Sequence, residues 1–245
     1  TRGIFALGGA NTTRNKYTYA SCTSTACGVA VSSSTSSAGS AAGNSTRGIF
    51  SLGIYKTTRN KYTYASCTST ACGVAAASLA TTGHSAVGNS TRGIFALGQN
   101  CTIPYNKTTR DKYTYASCTS TSCGVGVASI GSGYGSAAGN STRGIFALGC
   151  NSNTPLNTRN KYTYACCTST ASGVAVSSSA SRYGSATGNS TRGIFALGYT
   201  CALTQSTTRN KYTYASCTST ASGVGVASSA QKYGAAVSWA TCVNS

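Results

Sequence analysis

The chain has 245 residues and a formal net charge of +18 at pH 7, because 19 lysines and arginines face a single acidic side chain. Such a charge combined with few large aliphatic residues is typical of disordered chains, but 16 tyrosines supply bulk at repeated positions. No run of 18 apolar residues occurs, which excludes a transmembrane helix. One acid and one histidine do not supply both a carboxylate pair and a Ser-His-Asp triad. We therefore expect a folded protein that is not an enzyme and uses no cofactor.

Two phrases occur five times along the chain. The phrase Arg-Gly-Ile-Phe begins at Arg2, Arg47, Arg92, Arg143 and Arg192. The phrase Arg-Asn-Lys-Tyr-Thr-Tyr, with Asp for Asn in its third copy, carries its lysine at Lys16, Lys61, Lys112, Lys161 and Lys211. A period near 50 residues is typical of propellers, solenoids and arrays. The sequence therefore predicts one repeat domain over 1–245, with units at about 1–45, 46–90, 91–141, 142–190 and 191–245.

Each unit is predicted to contain four strands, taken here in the first unit. Residues 2–8 carry apolar groups on both faces, which indicates a strand buried on both sides. Residues 15–22 alternate tyrosines with lysine and threonine, which favours a second strand. Residues 23–26 are predicted as a hairpin turn and residues 28–32 as the third strand. Residues 39–44 form the predicted fourth strand, matched by 134–140, 183–189 and 233–238, and a tight Gly-Asn-Ser-Thr turn leads to the next unit.

One segment of each unit varies in length. It spans 9–12, 54–57, 99–108, 150–157 and 199–207. Insertions gathered at one repeat position lie in loops on one face, often the binding face. The candidate ligand-binding residues in these loops are Tyr55, Lys56, Tyr105, Lys107 and Tyr199.

The fold class predicted from these patterns is all-β. Helix formers such as Glu, Gln, Lys and Leu are rare, and there is no 3.6-residue apolar period. Four strands in each of five units predict a five-bladed β-propeller of about 49 residues per blade, which leaves only short sheet edges. The alternatives are a β-solenoid or a stacked fibrous array, but a solenoid coil usually needs fewer residues.

The repeat resembles two groups of proteins. The unit as a whole is similar to kelch-type propeller repeats. The phrase Ser-Thr-Arg-Gly-Ile-Phe, followed by a Tyr-Thr strand and a Tyr-Gly element, resembles repeats of bacteriophage and bacterial surface proteins that carry a comparable Arg-Gly-Val-Phe-Gly-Gly-Gly phrase. The resemblance spans all five units and implies a surface, tail or adhesion role, with no defined chemistry.

The 13 cysteines suggest cross-links. Three units carry Cys-x4-Cys at the predicted hairpins, and three successive variable loops carry one cysteine each. The candidates for disulfides are Cys22 with Cys27, Cys67 with Cys72, Cys118 with Cys123, and the loop residues Cys101, Cys150 and Cys201. Reduced thiols and a metal site are the alternatives, although zinc sites usually have closer cysteine spacing or histidine partners. The odd count leaves one thiol free or bonded to another chain.

The basic-aromatic strands have two interpretations. Arg59, Lys61 and their copies can grip phosphate, sulfate or carboxylate groups while a base or sugar stacks on tyrosine. In the structural interpretation the tyrosines pack between sheets and the cations bond to carbonyls or water, which strict repetition favours. The Asn-Ser-Thr phrases match the glycosylation sequon, but a turn-forming asparagine is the simpler interpretation.

The function predicted from the sequence is non-enzymatic binding or adhesion at an extracellular or virion surface, with an anionic glycan or envelope polymer as the partner. One alternative is a structural subunit of a sheath, fibre or phage tail that assembles with itself. Another is a binder of nucleic acid or another polyanion. Nucleic-acid affinity would fall steeply with salt, whereas sugar stacking would depend on salt less.

Overall fold

The computed structural model describes most of the chain. The described residues are 2–6, 12–18, 20–26, 32–35, 37–71, 76–96, 98–122, 126–147, 149–171, 176–196, 198–200 and 204–221. They form antiparallel β-sheets and contain no α-helix. No helix in these segments is long and apolar enough to cross a membrane. The all-β prediction is confirmed.

The main strands form five sheets within the described residues. Sheet 1 contains β1 (Arg2–Ala6), β2 (Arg14–Thr18) and β3 (Thr23–Ala26). Sheet 2 contains β4 (Ser40–Gly43), β5 (Arg47–Ser51), β6 (Arg59–Thr63) and β7 (Thr68–Ala71). Sheet 3 contains β8 (Ser85–Gly88), β9 (Arg92–Ala96), β10 (Arg110–Thr114) and β11 (Thr119–Ser122). Sheet 4 contains β12 (Ser136–Gly139), β13 (Arg143–Ala147), β16 (Arg159–Thr163) and β17 (Thr168–Ala171). Sheet 5 contains β19 (Ser185–Gly188), β20 (Arg192–Ala196), β22 (Arg209–Thr213) and β23 (Thr218–Ala221).

Two small sheets lie in the connections between these strands. One pairs β14 (Cys150–Asn151) with β15 (Thr154–Pro155). The other pairs β18 (Ser181–Arg182) with β21 (Tyr199–Thr200) and so joins two successive connections.

Each four-stranded sheet takes its first strand from the preceding sequence repeat. In sheet 2 the order is β4-β5-β6-β7, and β4 precedes the Asn-Ser-Thr turn that ends the first unit. The register sets Ala42 opposite Ile49 and Gly43 opposite Gly48. The predicted fourth strand is therefore confirmed at 40–43 and its described copies, whereas 233–238 lies outside the described residues. Because of this offset, the hydrogen bonds of one sheet tie two consecutive repeats together.

The first strands of the sheets contact one another in sequence order: β4 with β8, β8 with β12, and β12 with β19. They consist of small residues such as Ser-Ala-Ala-Gly. The adjoining strands are equally close-packed, because a Cβ added at Gly93 would lie 3.0 Å from Ala42 Cβ, and one added at Gly144 would overlap Val87. Small side chains are required here because the backbones of neighbouring sheets approach closely.

The hydrophobic core lies between neighbouring sheets. Ile49 of sheet 2 is fully buried against Phe95, Tyr113 and Tyr115 of sheet 3. The same packing recurs from sheet 3 to sheet 4 and from sheet 4 to sheet 5. The prediction that the Arg-Gly-Ile-Phe strand is buried on both faces is confirmed, and so is the packing of tyrosines between sheets.

The predicted hairpin position is wrong. The turn falls at 64–67 and its copies, and the predicted turn residues Thr23–Ala26 form β3. Cys67 closes the turn in the left-handed region at φ 52°, and Ser66 Oγ lies 2.7 Å from Thr68 Oγ1. Tyr-Ala-Ser-Cys contains no glycine to mark a turn, and the threonines that follow favour a strand. Of the predicted third strand, residues 27–31 lie outside the described residues and Ser32 lies in no strand.

Candidate functional site

Four repeat arginines are buried between sheets. They are Arg14, Arg59, Arg110 and Arg159, each with no exposed surface. Arg110 shows the pattern: Nη1 donates to Gly126 O at 2.7 Å and Ser169 Oγ at 2.5 Å, and Nη2 donates to Asn160 Oδ1 at 3.2 Å. Its guanidinium carbon lies 4.6 Å from the centre of the Phe146 ring. The side chain therefore joins sheet 3 to sheet 4.

One of these interfaces contains a carboxylate. Arg59 Nη2 donates to Asp111 Oδ2 at 2.8 Å, where Arg14, Arg110 and Arg159 each meet an asparagine of the next sheet. Asp111 also accepts from Ser78 N at 2.8 Å and Ser78 Oγ at 2.7 Å. The single acid of the chain is thus occupied inside the protein, and no acidic side chain remains to neutralise the surface cations.

The burial of Arg59 corrects its assignment as a ligand-binding residue. A guanidinium with no exposed surface that is bonded to Asp111 and Ser120 cannot reach a ligand. Lys61, the other strand candidate, is partly exposed. Burial lowers the pKa of Arg14 and of Arg159 to about 10, so both remain charged at neutral pH.

The arginines of the other phrase also have structural partners. Nη1 of Arg47, Arg92 and Arg143 donates to the carbonyl oxygens of Tyr115, Tyr164 and Tyr214 respectively, each at 2.9 Å. Since those tyrosines belong to the next sheet, these contacts again connect neighbours. The structural interpretation of the repeated cations is confirmed for these arginines.

The Asn-Ser-Thr phrases form tight turns. Asn44 Oδ1 accepts hydrogen bonds from the backbone N–H groups of Thr46 and Arg47, both at 3.0 Å. Its Nδ2 donates to Ser90 O of the next turn at 3.0 Å. Asn89 and Asn140 make the same contacts. These bonds give the asparagines the turn-forming role that was favoured, and glycosylation stays untested.

The connections of the sheets sort into two ends of the molecule. Because the strands are antiparallel, the Asn-Ser-Thr turns and the Tyr-Ala-Ser-Cys turns lie at one end, which we call the turn face. The variable connections and the segments that lead into the next sheet lie at the other end, which we call the loop face. Its described segments are 32–35, 37–39, 52–58, 76–84, 98–109, 126–135, 149–158, 176–184, 198–200 and 204–208.

The five loop candidates all lie on the loop face but in three different sheets. Tyr55 and Tyr105 are exposed by 46% and 54% of their surface. Lys56 Nζ donates to Thr35 O at 3.1 Å and Lys107 Nζ to Thr102 O at 3.3 Å, both at the surface. Tyr199 is the one that joins an aromatic cluster.

That cluster, which we call the aromatic patch, consists of Tyr134, Tyr183, Tyr199 and Arg182. The ring centres of Tyr134 and Tyr183 are 4.6 Å apart at 54°, and those of Tyr183 and Tyr199 are 6.3 Å apart at 77°. The Arg182 guanidinium carbon lies 5.2 Å from the centre of the Tyr183 ring. Sequence reasoning missed this site apart from Tyr199. The available signal was the Tyr-Gly element of the later repeats, where earlier repeats have Ala38 and Gly83.

A chain of backbone hydrogen bonds positions the tyrosines of the patch. Gly83 N donates to Ala38 O at 3.0 Å, Tyr134 N to Gly83 O at 2.8 Å, and Tyr183 N to Tyr134 O at 2.9 Å. All four residues have φ between 50° and 68°, the left-handed region. One residue from each successive sheet thus contributes to one line of contacts, and the later two place phenol rings side by side.

Arg182 is held at the edge of the patch. It lies directly opposite Tyr199 in the β18–β21 pair, and its Nη1 donates to Asn153 Oδ1 at 3.4 Å. Its Nε–H is buried and has no hydrogen-bond partner within the described segments. A surface pocket beside it is lined by Tyr134, Ser181, Arg182 and Phe195.

The lone histidine lies in a buried polar cluster. His84 is 5% exposed, its Nδ1 lies 3.0 Å from Ser51 Oγ, and its Nε2 lies 2.6 Å from Thr81 Oγ1. Burial lowers its pKa to about 4, so the ring is neutral at physiological pH. Ser51 and Thr81 are buried as well, so this hydroxyl–imidazole pair is closed to substrate.

No disulfide joins any two of the described cysteines, which are Cys22, Cys67, Cys101, Cys118, Cys150, Cys166, Cys167 and Cys217. Cys27, Cys72, Cys123 and Cys201 lie outside the described residues. The geometric reason for the Cys-x4-Cys pairs is wrong, because Thr68–Ala71 is an extended strand and not a turn that returns the chain to Cys67. The disulfides themselves stay a prediction.

The fold and these contacts define a repeat-built all-β protein whose sheets are joined by buried arginines. The sequence matches no protein-family model and no curated protein. Among solved structures, the protein titled "Structure of YjhT" is similar to this chain with a TM-score of 0.76 at 12% sequence identity. The match covers 96% of this chain and 84% of that one. At this identity the likeness shows a shared fold alone.

Proposed function

We propose that this protein is a non-enzymatic five-bladed β-propeller that binds an anionic glycan or envelope polymer at an extracellular or virion surface. The observation that carries the proposal is the position of the cations that the repeat does not supply. Four cations lie outside the two phrases: Lys56, Lys107, Arg182 and Lys232. The first three lie on the loop face, and Lys232 is outside the described residues.

Several features support an anionic partner at that face. Seven of the repeated arginines are engaged between sheets, so changes at their positions would disturb packing. Lys56, Lys107 and Arg182 instead lie in loops that differ between repeats, which is where binding residues concentrate. The single acid is bonded to Arg59, so no carboxylate side chain competes for these cations. Such a field attracts polyanions.

The binding test is retention on immobilised heparin at increasing salt. We expect Lys56→Gln combined with Lys107→Gln and Arg182→Gln to elute at much lower salt than the wild type. The matched control is Lys61→Gln combined with Lys112→Gln and Lys161→Gln, which removes the same charge from the sheets. Equal loss in both triple variants would reduce the interaction to general charge attraction and overturn the proposal.

The closed propeller is supported by the sheet order and by the sequential contacts of β4, β8, β12 and β19. A closed ring of this length should have a radius of gyration of about 18 Å. X-ray scattering that gives a clearly larger value would favour a solenoid or an extended array.

A structural subunit is the second candidate, and exposed thiols favour it. Cys22 and Cys166 are exposed on the turn face, and Cys101 is exposed on the loop face beside Ile103, which is 80% exposed. Large particles that form without ligand and dissociate on reduction, detected by sedimentation, would support this candidate over the glycan-binding one.

A further inference from the structure

We propose that the aromatic patch binds one sugar ring that bears a carboxylate or a sulfate. The ring would stack on the phenol faces, and Arg182 would bond to the anionic group. This inference rests on the proposed function and assigns its anionic-glycan site to Tyr134, Tyr183, Tyr199 and Arg182.

The first argument is conformational. Tyr134 and Tyr183 have φ of 58° and 59°, a region that glycine adopts freely and bulky residues rarely adopt. The preceding repeat places Gly83 at the same point of the backbone chain, with φ 68° and the same type of hydrogen bond. Glycine would therefore be sufficient to adopt the backbone conformation at this position. Keeping tyrosine in this conformation indicates that the side chain has a use, since strained residues cluster at ligand sites.

The second argument is that Arg182 has weak hydrogen bonds and no acidic partner. Its Nη1 contact with Asn153 is long, at 3.4 Å, and its Nε–H is buried without a partner in the described part of the chain. The one acidic side chain is bonded to Arg59 and is not available to it. A planar guanidinium binds carboxylate or sulfate groups through two parallel hydrogen bonds. Because Arg182 is partly exposed, an anion on the ligand can bond to its guanidinium, whereas the buried Nε–H stays out of reach.

The third argument is the arrangement of the rings, which favours a sugar over nucleic-acid bases. Consecutive bases stack on roughly parallel platforms. The rings of the patch are instead inclined at 54° and 77° to one another. A single puckered ring with apolar C–H faces does not need parallel platforms.

The fourth argument is that the matched positions of other sheets differ. The bridge that corresponds to Arg182 and Tyr199 joins Thr82 to Gln99 in one repeat and Gly133 to Cys150 in another. Neither of these combines a cation with an aromatic ring. Within the described residues we therefore expect one site of this kind. The fifth repeat also has a cation before its tyrosine, at Lys232 and Tyr233, which lie outside the described residues.

Isothermal titration with a sulfated, uronic-acid-containing heparin disaccharide tests the inference. We expect at least about tenfold weaker binding of a neutral disaccharide that lacks both anionic groups. Tyr183→Gly should weaken binding of the anionic disaccharide by about tenfold or more without disturbing the fold, because Gly83 already occupies the equivalent conformation. Arg182→Gln should remove the preference for the anionic over the neutral disaccharide.

The matched control is Ile54→Gly. Ile54 is also a loop-face residue in the left-handed region, at φ 48°, but it lies outside the patch and is not a binding candidate. Its substitution should leave disaccharide binding unchanged. If Tyr183→Gly does not fold, Arg182→Gln still provides the test.

The outcomes separate this inference from the proposed function. Retention on heparin with unchanged disaccharide affinity in both patch variants would overturn the assignment of the site and leave the proposed function standing. Tighter binding of an oligothymidylate than of the disaccharide, lost in the same variants, would overturn the sugar assignment in favour of a nucleic acid. Loss of both heparin retention and disaccharide binding in the wild type would overturn both.

Discussion

The interface between sheets 2 and 3 and the interface between sheets 3 and 4 differ mainly in one functional group. Arg59 meets the carboxylate of Asp111 at 2.8 Å, and Arg110 meets the amide of Asn160 at 3.2 Å. In both, the guanidinium carbon lies 4.6 Å from a phenylalanine ring and Nη1 donates to a serine hydroxyl. The same geometry therefore forms with and without an ion pair.

The comparison teaches that buried arginines can be stabilised by dipoles and an aromatic face. Arg110 is fully buried, yet its contacts are a carbonyl, a hydroxyl, an amide and a ring. Asn160 Oδ1 in turn accepts a hydrogen bond from Ser129 N at 2.9 Å, and its Nδ2 donates to Ser129 Oγ at 2.9 Å. The polar atoms of this side chain therefore have partners. Neutral groups avoid the cost of desolvating a second charge, which can exceed the gain from a buried ion pair.

Replacement of the buried arginine should give the largest difference in stability between the two interfaces. Arg59→Met leaves the Asp111 carboxylate buried without its cation, and we expect a loss of about 3–5 kcal/mol in the free energy of unfolding. Arg110→Met leaves only a neutral amide, and we expect about 1–3 kcal/mol. Urea unfolding of the two variants measures the difference. Equal losses of unfolding free energy would mean that the buried Asp111 carboxylate depends on its arginine no more than the Asn160 amide does.

Acid should weaken the Asp111 side of the molecule through its neighbour His84. Burial lowers the pKa of His84 to about 4, below its ordinary value of 6.5. Because the unfolded chain takes up the proton first, the stabilising effect is fully present above pH 6.5 and is lost as the pH falls towards 4, by up to about 3 kcal/mol. Thermal unfolding across this range measures it. The control His84→Gln should flatten the dependence, and an unchanged slope in that variant would assign it to other groups.

Replacement of Asp111 by asparagine, which removes the negative charge from its interface, should lower the free energy of unfolding only modestly. Asp111→Asn reproduces the side chain found at Asn60, Asn160 and Asn210, and Ser78 can reverse its hydroxyl bond to accept from the new amide. We expect a loss of about 1 kcal/mol, because an ion pair is exchanged for a charge–dipole contact. A loss as large as that of Arg59→Met, measured in the same urea experiment, would contradict the equivalence of the interfaces.

Replacement of Asn160 by aspartate, the reverse change, should have the smallest effect on the free energy of unfolding. Asn160→Asp places a carboxylate next to Arg110, and the attraction is offset by the desolvation of the new charge. We expect a gain of less than about 1 kcal/mol in unfolding free energy. A clear destabilisation would show that the new carboxylate needs the hydroxyl that Ser122 offers to Asp111, because Ala171 stands opposite residue 160.

Part of the site could be predicted from the sequence. Length variation located the loop face, and Tyr199 was among its candidates, because insertions are tolerated only where connections lie at the surface. Arg59 was misassigned because its sequence context is indistinguishable from that of a surface strand. Its burial depends on Phe95, Ser120 and Asp111, which belong to the following repeat. The aromatic patch was missed because its members lie in three different connections, which come together only when the sheets pack.

By itself the sequence determined the repeat, the all-β class and the strand buried on both faces, because these depend on local periodicity within one unit. Only the tertiary structure decided that each four-stranded sheet takes a strand from the preceding repeat, since strand pairing is a contact between units. It also decided that the chain turns at Cys67, where a left-handed residue without glycine left no local signal. The buried arginines and the aromatic patch were decided in the same way, because burial and ring contacts exist only after neighbouring sheets pack together.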